Sequence, residues 1–168
     1  VHNRTRIPAR FPLPRPLAAL ALCLVVAPGT LFAIGQEQYV TTKAEAGSFP
    51  IARAGAVAAI YVDSRDWPGV IRAAGDLQSD ITRVTSRKPL VVREPESLSG
   101  DAVIIGTVGR SRILDRLAAA GKIDPRRIAG QWETFGVQVV RRPLPNVARA
   151  LVIAGSDKRG TIYGIYDL

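Results

Sequence analysis

Histidine and cysteine are almost missing from this chain: each occurs once in 168 residues, as His2 and Cys23. Both fall within residues 1–33, a stretch that reads as an export signal. The remainder then carries neither imidazole nor thiol. That excludes disulfides, thiolate catalysis, histidine-based triads and cysteine or histidine metal ligation together. Any chemistry must use carboxylates, lysine, tyrosine, hydroxyls or backbone groups, and neither cofactor nor metal is expected. Aromatic residues are also few, at 6%, and do not interleave with the basic residues. Those come singly or in pairs, such as Arg126 with Arg127 and Arg141 with Arg142, so no nucleic-acid partner is expected.

Residues 1–33 lack acidic side chains as well. Arg4, Arg6, Arg10 and Arg15 precede an uncharged run of 11 residues, LAALALCLVVA from Leu17 to Ala27, followed by PGTLFA. A basic start, a short apolar middle and small residues after it describe a secretory signal peptide. A non-cleaved anchor is the alternative, but the run is well short of the roughly 20 residues that span a bilayer. No stable membrane insertion is expected, and the location is secreted or periplasmic. Cys23 lies inside the apolar run, which argues against a lipoprotein signal. Neither Ala27 nor Ala33 has an ideal cleavage context; Ala33 is taken as the end. The initial Val1 reads as a non-ATG start or a fragment.

Removing that segment changes the electrostatics. Nineteen basic residues remain against 14 acidic ones, an excess of five. Spread over about 135 residues, this is ordinary for solubility. That length buries one adequate core, so a single domain is expected.

Residues 34–47 are polar without period and read as a mobile lead-in to a domain over 48–168. AVAAIYV (56–62) reads as a strand ending at DSRDWPG, where Asp66 suits a helix cap and Pro68 the first turn. Val70, Ala74, Leu77, Ile81 and Val84 then recur at helical spacing as one buried stripe. The other face carries Arg72, Asp76, Asp80 and Arg83, spaced for ion pairs, with no functional role expected of Asp76 or Asp80. LVV and DAVIIG follow, the latter apolar enough for a sheet covered on both faces. RSRILDRLAAAG reads as a second helix, stopped by Gly121. FGVQVVRRP (135–143) reads as a strand closed by proline, ARALVIAG (148–155) as a buried strand, and the last residues as a helix. The order β-α-β-β-α-β-β-α predicts a single α/β layered domain with a mixed sheet flanked by helices.

Four stretches carry candidate chemistry. IIGTVGRS places glycines between strand and helix, where phosphates often sit. It lacks both dinucleotide-fold and P-loop spacing, so Gly106 and Gly109 are expected to serve tight turns. Asp63 and Asp66 flank a strand end and form a conceivable acid and base pair; capping by Asp66 and pairing of Asp63 with Arg65 is the favoured reading. Trp132 and Glu133 precede a strand; a tryptophan there can stack on a sugar, though a structural role is expected. Finally, GSDKRGTIYG puts Asp157, Lys158 and Arg159 on a loop entering a helix. Two cations there suit a carboxylate or phosphate. The alternative is a cap by Asp157 beside two solvated cations, and spacing alone favours it. Gly160 and Gly164, four apart, leave one helix face bare for close packing.

LVIAGSDKRGTIYGIYDL, with FPI, DWPGVIRAAGDLQSDITRVTSRKP, VIIGTVGRS and GQWETFGVQVV upstream in that order, resembles the N-terminal domain of glycoside hydrolase family 115. The resemblance runs from about Ser48 to Leu168. One departure is Ser86, where glycine is expected. The resemblance implies a xylan α-1,2-glucuronidase that removes (4-O-methyl)glucuronic acid side chains by inverting hydrolysis. It also implies that the catalytic carboxyl groups lie in a following (β/α) barrel, which this chain ends before. The present domain is then the accessory one, like the domain preceding the barrel in families 67 and 20, with no catalytic residue of its own. Asp157, Lys158 and Arg159 become candidate substrate-binding residues facing glucuronoxylan or aldouronic acids. A helix with Gly160 and Gly164 on one face is expected to pack on that missing barrel. A stand-alone carbohydrate-binding module using Trp132 and the same loop is the main alternative; a nucleotide-binding domain using Gly106 to Ser111 is a weaker one.

Overall fold

The computed structural model describes residues 40–43, 45–53 and 55–168. Residues 1–33, where the export signal is expected, and residues 34–39 of the expected lead-in lie outside them. The first element is a short hairpin of β1 (Ala52–Arg53) and β2 (Ala56–Val57), turned at Gly55, whose φ is 85°. There follow β3 (Ala59–Val62), α1 (Pro68–Thr85), β4 (Val91–Val92), β5 (Ala102–Thr107) and α2 (Arg112–Ala119). The chain ends with β6 (Phe135–Leu144), β7 (Val147–Gly155) and α3 (Lys158–Tyr166). From β3 onward this is the predicted order. The run 56–62 is split, because Ala58 donates its N–H to Ile51 (2.8 Å) before the chain enters the main sheet. Apolar pattern alone does not show such a change of pairing partner.

The main sheet has five strands in the order β4-β3-β5-β7-β6, parallel except for β6, which runs antiparallel to β7. All six residues of β5 are buried, because both faces of the sheet are covered. Its side chains alternate: Ile104 joins Ile113, Leu114 and Leu117 of α2 on one face. Val103 and Ile105 join Val70, Ala74, Leu77 and Ile81 of α1 and Ile165 of α3 on the other. The chain therefore leaves β3 toward one face and β5 toward the opposite face. Between the carboxyl ends of those strands lies the crevice where open α/β sheets take ligands.

Three expectations need correction. The stripe of α1 is Val70, Ala73, Ala74, Leu77 and Ile81, whereas Val84 is 85% exposed. The periodicity continues, but nothing in it marks where the covering contacts stop. Val84→Lys is thus expected to change stability by no more than about 0.5 kcal/mol, and Ile81→Ala to cost about 3 kcal/mol; urea unfolding of both variants measures the contrast. Second, Pro143 does not close β6. The strand continues to Leu144 through a register shift after Arg141, with Arg142 at φ 47°. β6 lies at the sheet edge, where proline's missing N–H is tolerated. Third, Asp66 does not cap α1: the N-cap is Trp67, without a side-chain cap bond, and Pro68 stands in the first turn. At the other end of α1, Ser86 has φ 56° and ψ 21°. This is the left-handed position that helices usually close with glycine, which accounts for the glycine expected there.

Candidate functional site

Asp63 and Asp66 stand at the crevice between β3 and β5, and both are buried. Asp63 accepts five hydrogen bonds. Its Oδ2 receives the Arg112 backbone N–H (2.8 Å), Arg112 Nε (2.8 Å) and the Tyr61 hydroxyl (3.0 Å); its Oδ1 receives Arg65 N–H (3.0 Å) and Arg112 Nη2 (3.1 Å). Burial alone would raise its pKa, but the Arg112 guanidinium, the Arg65 and Arg112 amides and the Tyr61 hydroxyl outweigh it and hold the carboxyl well below its ordinary range. Burial, with the bond to Asp63, pushes the Tyr61 hydroxyl up in turn. Arg112 also reaches Glu94 (2.7 Å) and the Arg93 carbonyl (3.1 Å), which ties the end of β4 to α2. The expected Arg65 pair exists at 3.5 Å, but Arg112 is the principal partner.

Asp66 receives Trp67 N–H (2.7 Å), Thr107 N–H (2.8 Å) and the Thr107 hydroxyl (2.8 Å). It fastens the start of α1 to the end of β5. Each carboxylate is buried and bonded to internal donors that fasten neighbouring elements together. The start of α2 is likewise filled. The Arg112 amide is bonded to Asp63, and Ser111 caps the helix through Leu114 N–H. A phosphate at IIGTVGRS would compete with a carboxylate already seated there. Gly109 does serve a turn, at φ 76°, but Gly106 lies inside β5; a Cβ there would stand 2.5 Å from the Ser111 Cβ. Its purpose is close approach of α2 to the strand.

At the end of β7, Asp157 caps α3. Its Oδ1 receives Gly160 N–H (2.7 Å) and its Oδ2 receives Glu133 N–H (3.0 Å). These two amides, in that order, lower its pKa. Ser156 pairs with Thr134 in both directions, N–H to carbonyl at 2.8 Å and amide to hydroxyl at 3.1 Å. Arg159 is not simply solvated: its Nη1 donates to Glu133 Oε1 at 2.6 Å. Lys158 is exposed and makes no ion pair among the described residues. The bare face of α3 packs within its own domain. A Cβ on Gly160 would strike the Thr134 carbonyl, and one on Gly164 would lie 2.8 Å from Ile153 and 3.0 Å from Phe135. No partner beyond the described residues is needed to account for those two glycines.

The loops after β3, β5 and β7 border a shallow, open hollow of about 400 Å³, lined by Trp67, Val108, Arg110, Ser156 and the Asp157–Arg159 loop. The Arg110 guanidinium lies 3.5 Å from the centroid of the Trp67 ring, a cation–π arrangement. Its Nη1 also donates to the Arg65 carbonyl (3.3 Å). The structure thus brings the three sequence-predicted residues to one rim and adds Trp67 and Arg110. Neither was marked by motif: Trp67 reads as the residue before a helix-starting proline, and Arg110 follows a turn glycine. The adjacency of β3, β5 and β7 reveals them. Trp132 is not a core residue, being 79% exposed. Among the described residues, no group of three histidine, cysteine, aspartate or glutamate side chains is placed to hold a metal ion. No described helix is long and apolar enough to cross a membrane.

No protein family's sequence model matches the chain, and no curated protein does. Among solved structures, one match is a family GH115 4-O-methyl-α-glucuronidase, BtGH115A, described as having specificity for decorated arabinogalactans. The TM-score is 0.52 at 26% identity, covering 69% of this chain and 13% of that protein's length. The α/β domain therefore resembles one domain of a family GH115 glucuronidase.

Proposed function

We propose that this chain is a non-catalytic accessory domain of a secreted glucuronidase. In this reading its rim of Asp157, Lys158 and Arg159 meets the acidic sugar, with Asp157 organising the loop and the two cations facing the uronate. The resemblance to one GH115 domain carries the proposal. Inverting hydrolysis needs a carboxylic acid and a carboxylate-activated water held apart around the sugar. Asp63 and Asp66 are bonded to internal donors and are not assigned to that chemistry; in this reading the reacting carboxyl groups belong to another domain of the complete enzyme. In this reading the substrates of the complete enzyme are glucuronoxylan and its aldouronic acids, or decorated arabinogalactans like those named for BtGH115A.

Affinity electrophoresis tests the reading. Gels containing glucuronoxylan are expected to retard the chain, gels containing carboxyl-reduced xylan are not, and no uronic acid should be released. Lys158→Gln with Arg159→Gln should abolish the retardation. The charge-matched pair Arg72→Gln with Arg83→Gln, on the outer face of α1, should keep it. Equal mobility in both gels would overturn acidic-sugar binding, and release of uronic acid would overturn the non-catalytic assignment. A stand-alone carbohydrate-binding module is favoured by one observation, the exposure of Trp132. Loss of retardation in Trp132→Ala, with the cationic pair dispensable, would decide for it.

A further inference from the structure

Two cations on the hollow stand without counter-charge. Among the described residues neither Arg110 nor Lys158 has a carboxylate within ion-pair distance. The acid on the rim, Asp157, is consumed by the Gly160 and Glu133 amides. Arg110 is also held in place, with one face of its guanidinium on Trp67 and one nitrogen on the Arg65 carbonyl. Trp67 is fixed in turn by its position at the start of α1 and its N–H bond to Asp66. The stem of Lys158 runs beside Gly69, in the first turn of the same helix.

A guanidinium held over an indole keeps N–H groups at its edge; with Nη1 on the Arg65 carbonyl, Nε and Nη2 remain to match a carboxylate in bidentate fashion. The lysine adds a point charge. Arg159, the third cation, is withheld by Glu133 at 2.6 Å. The Arg159 side chain is 61% exposed and that of Glu133 28%, so the pair is partly screened by solvent and an entering anion can compete for Arg159.

We infer that the hollow is a carboxylate subsite gripped by Arg110 and Lys158, walled by Trp67 and Val108, with Glu133 setting its affinity by sequestering Arg159. This deepens the function proposed above and rests on it for the sugar; the carboxylate contact stands on the geometry of the hollow. The test is a ¹H–¹⁵N titration of the whole chain at constant ionic strength with sodium D-glucuronate, sodium acetate and D-glucose. Amides at Trp67, Val108 to Arg110 and Ser156 to Gly160 are expected to shift with glucuronate, more weakly with acetate and not with glucose. Arg110→Gln and Lys158→Gln should each weaken glucuronate about tenfold, the loss of one charge-assisted contact. Glu133→Gln should tighten it about threefold, as a partner of modest worth is removed. Unfolding midpoints should not move in these variants. Silence from both anions, or wild-type affinity in Arg110→Gln and Lys158→Gln, would overturn the subsite. Equal affinity for acetate and glucuronate would leave the carboxylate grip standing and overturn the acidic-sugar reading.

Discussion

Alanine at Gly155 is expected to destabilise the domain by about 3 kcal/mol, the upper part of the range for forced overpacking. The added methyl would land on the backbone N and Cα of Thr161 and on its hydroxyl. None of these atoms can turn aside as a long side chain would. Thr161 is fully buried, and its hydroxyl bonds to the Asp157 carbonyl (2.8 Å) and the Thr107 hydroxyl (2.8 Å). Relief therefore requires α3 to withdraw from the sheet, which also disturbs the rim of the hollow. Gly75→Ala supplies the contrast. A Cβ there meets nothing within 4 Å, and alanine is favoured over glycine inside a helix by about 0.5–1 kcal/mol. Urea unfolding of the two variants should show opposite signs; a Gly155→Ala midpoint equal to wild type would sink the packing argument.

Asp63→Ala is expected to cost about 3 to 5 kcal/mol, as usual when one partner of a buried ion pair is removed. Five donors lose their acceptor, and Arg112 keeps only Glu94, the Arg93 carbonyl and Ser64. The acid dependence carries a second signature. The folded pKa of Asp63 lies below its unfolded value of about 3.9, so its contribution is complete above that value and is lost as pH falls through the folded one. Asp157 is shifted in the same direction, so wild-type stability should fall steeply on acidification below about pH 4. In Asp63→Asn that fall should be shallower, because one of the depressed carboxyls is gone. Urea midpoints between pH 2 and pH 6 measure both effects, and parallel pH profiles for wild type and Asp63→Asn would refute the role given to this carboxylate.

The layer arrangement was legible in sequence because it follows from local pattern. The apolar runs of β5 and β7, the stripe of α1 and the Asp157 cap each signal within a window of a few residues. What the pattern left open is tertiary. The spacing of Gly160 and Gly164 announces close approach but not to what; it points to an absent partner, whereas Thr134, Phe135 and Ile153 of the same domain are the neighbours. Asp66 sits where a cap would sit, yet its partner is Thr107, 41 residues along the chain. Arg65 is the near cation for Asp63, while Arg112, 49 residues distant, does most of the pairing. Half of the candidate site was visible for the same reason. Asp157 to Arg159 are contiguous and break a pattern, whereas Trp67 and Arg110 meet only because β3 and β5 are neighbours.

The bulged end of β6 bears on how copies of this chain meet one another. A sheet with an open edge invites a further strand, and repeated addition leads to fibres. Here a newcomer approaching residues 141–144 finds two exposed arginines, a backbone turned out of register at Arg142 and no donor at Pro143. Lys122 already claims the Arg142 carbonyl from the side. The irregularity that interrupts the ladder with β7 thus makes residues 141–144 a poor template for a further strand.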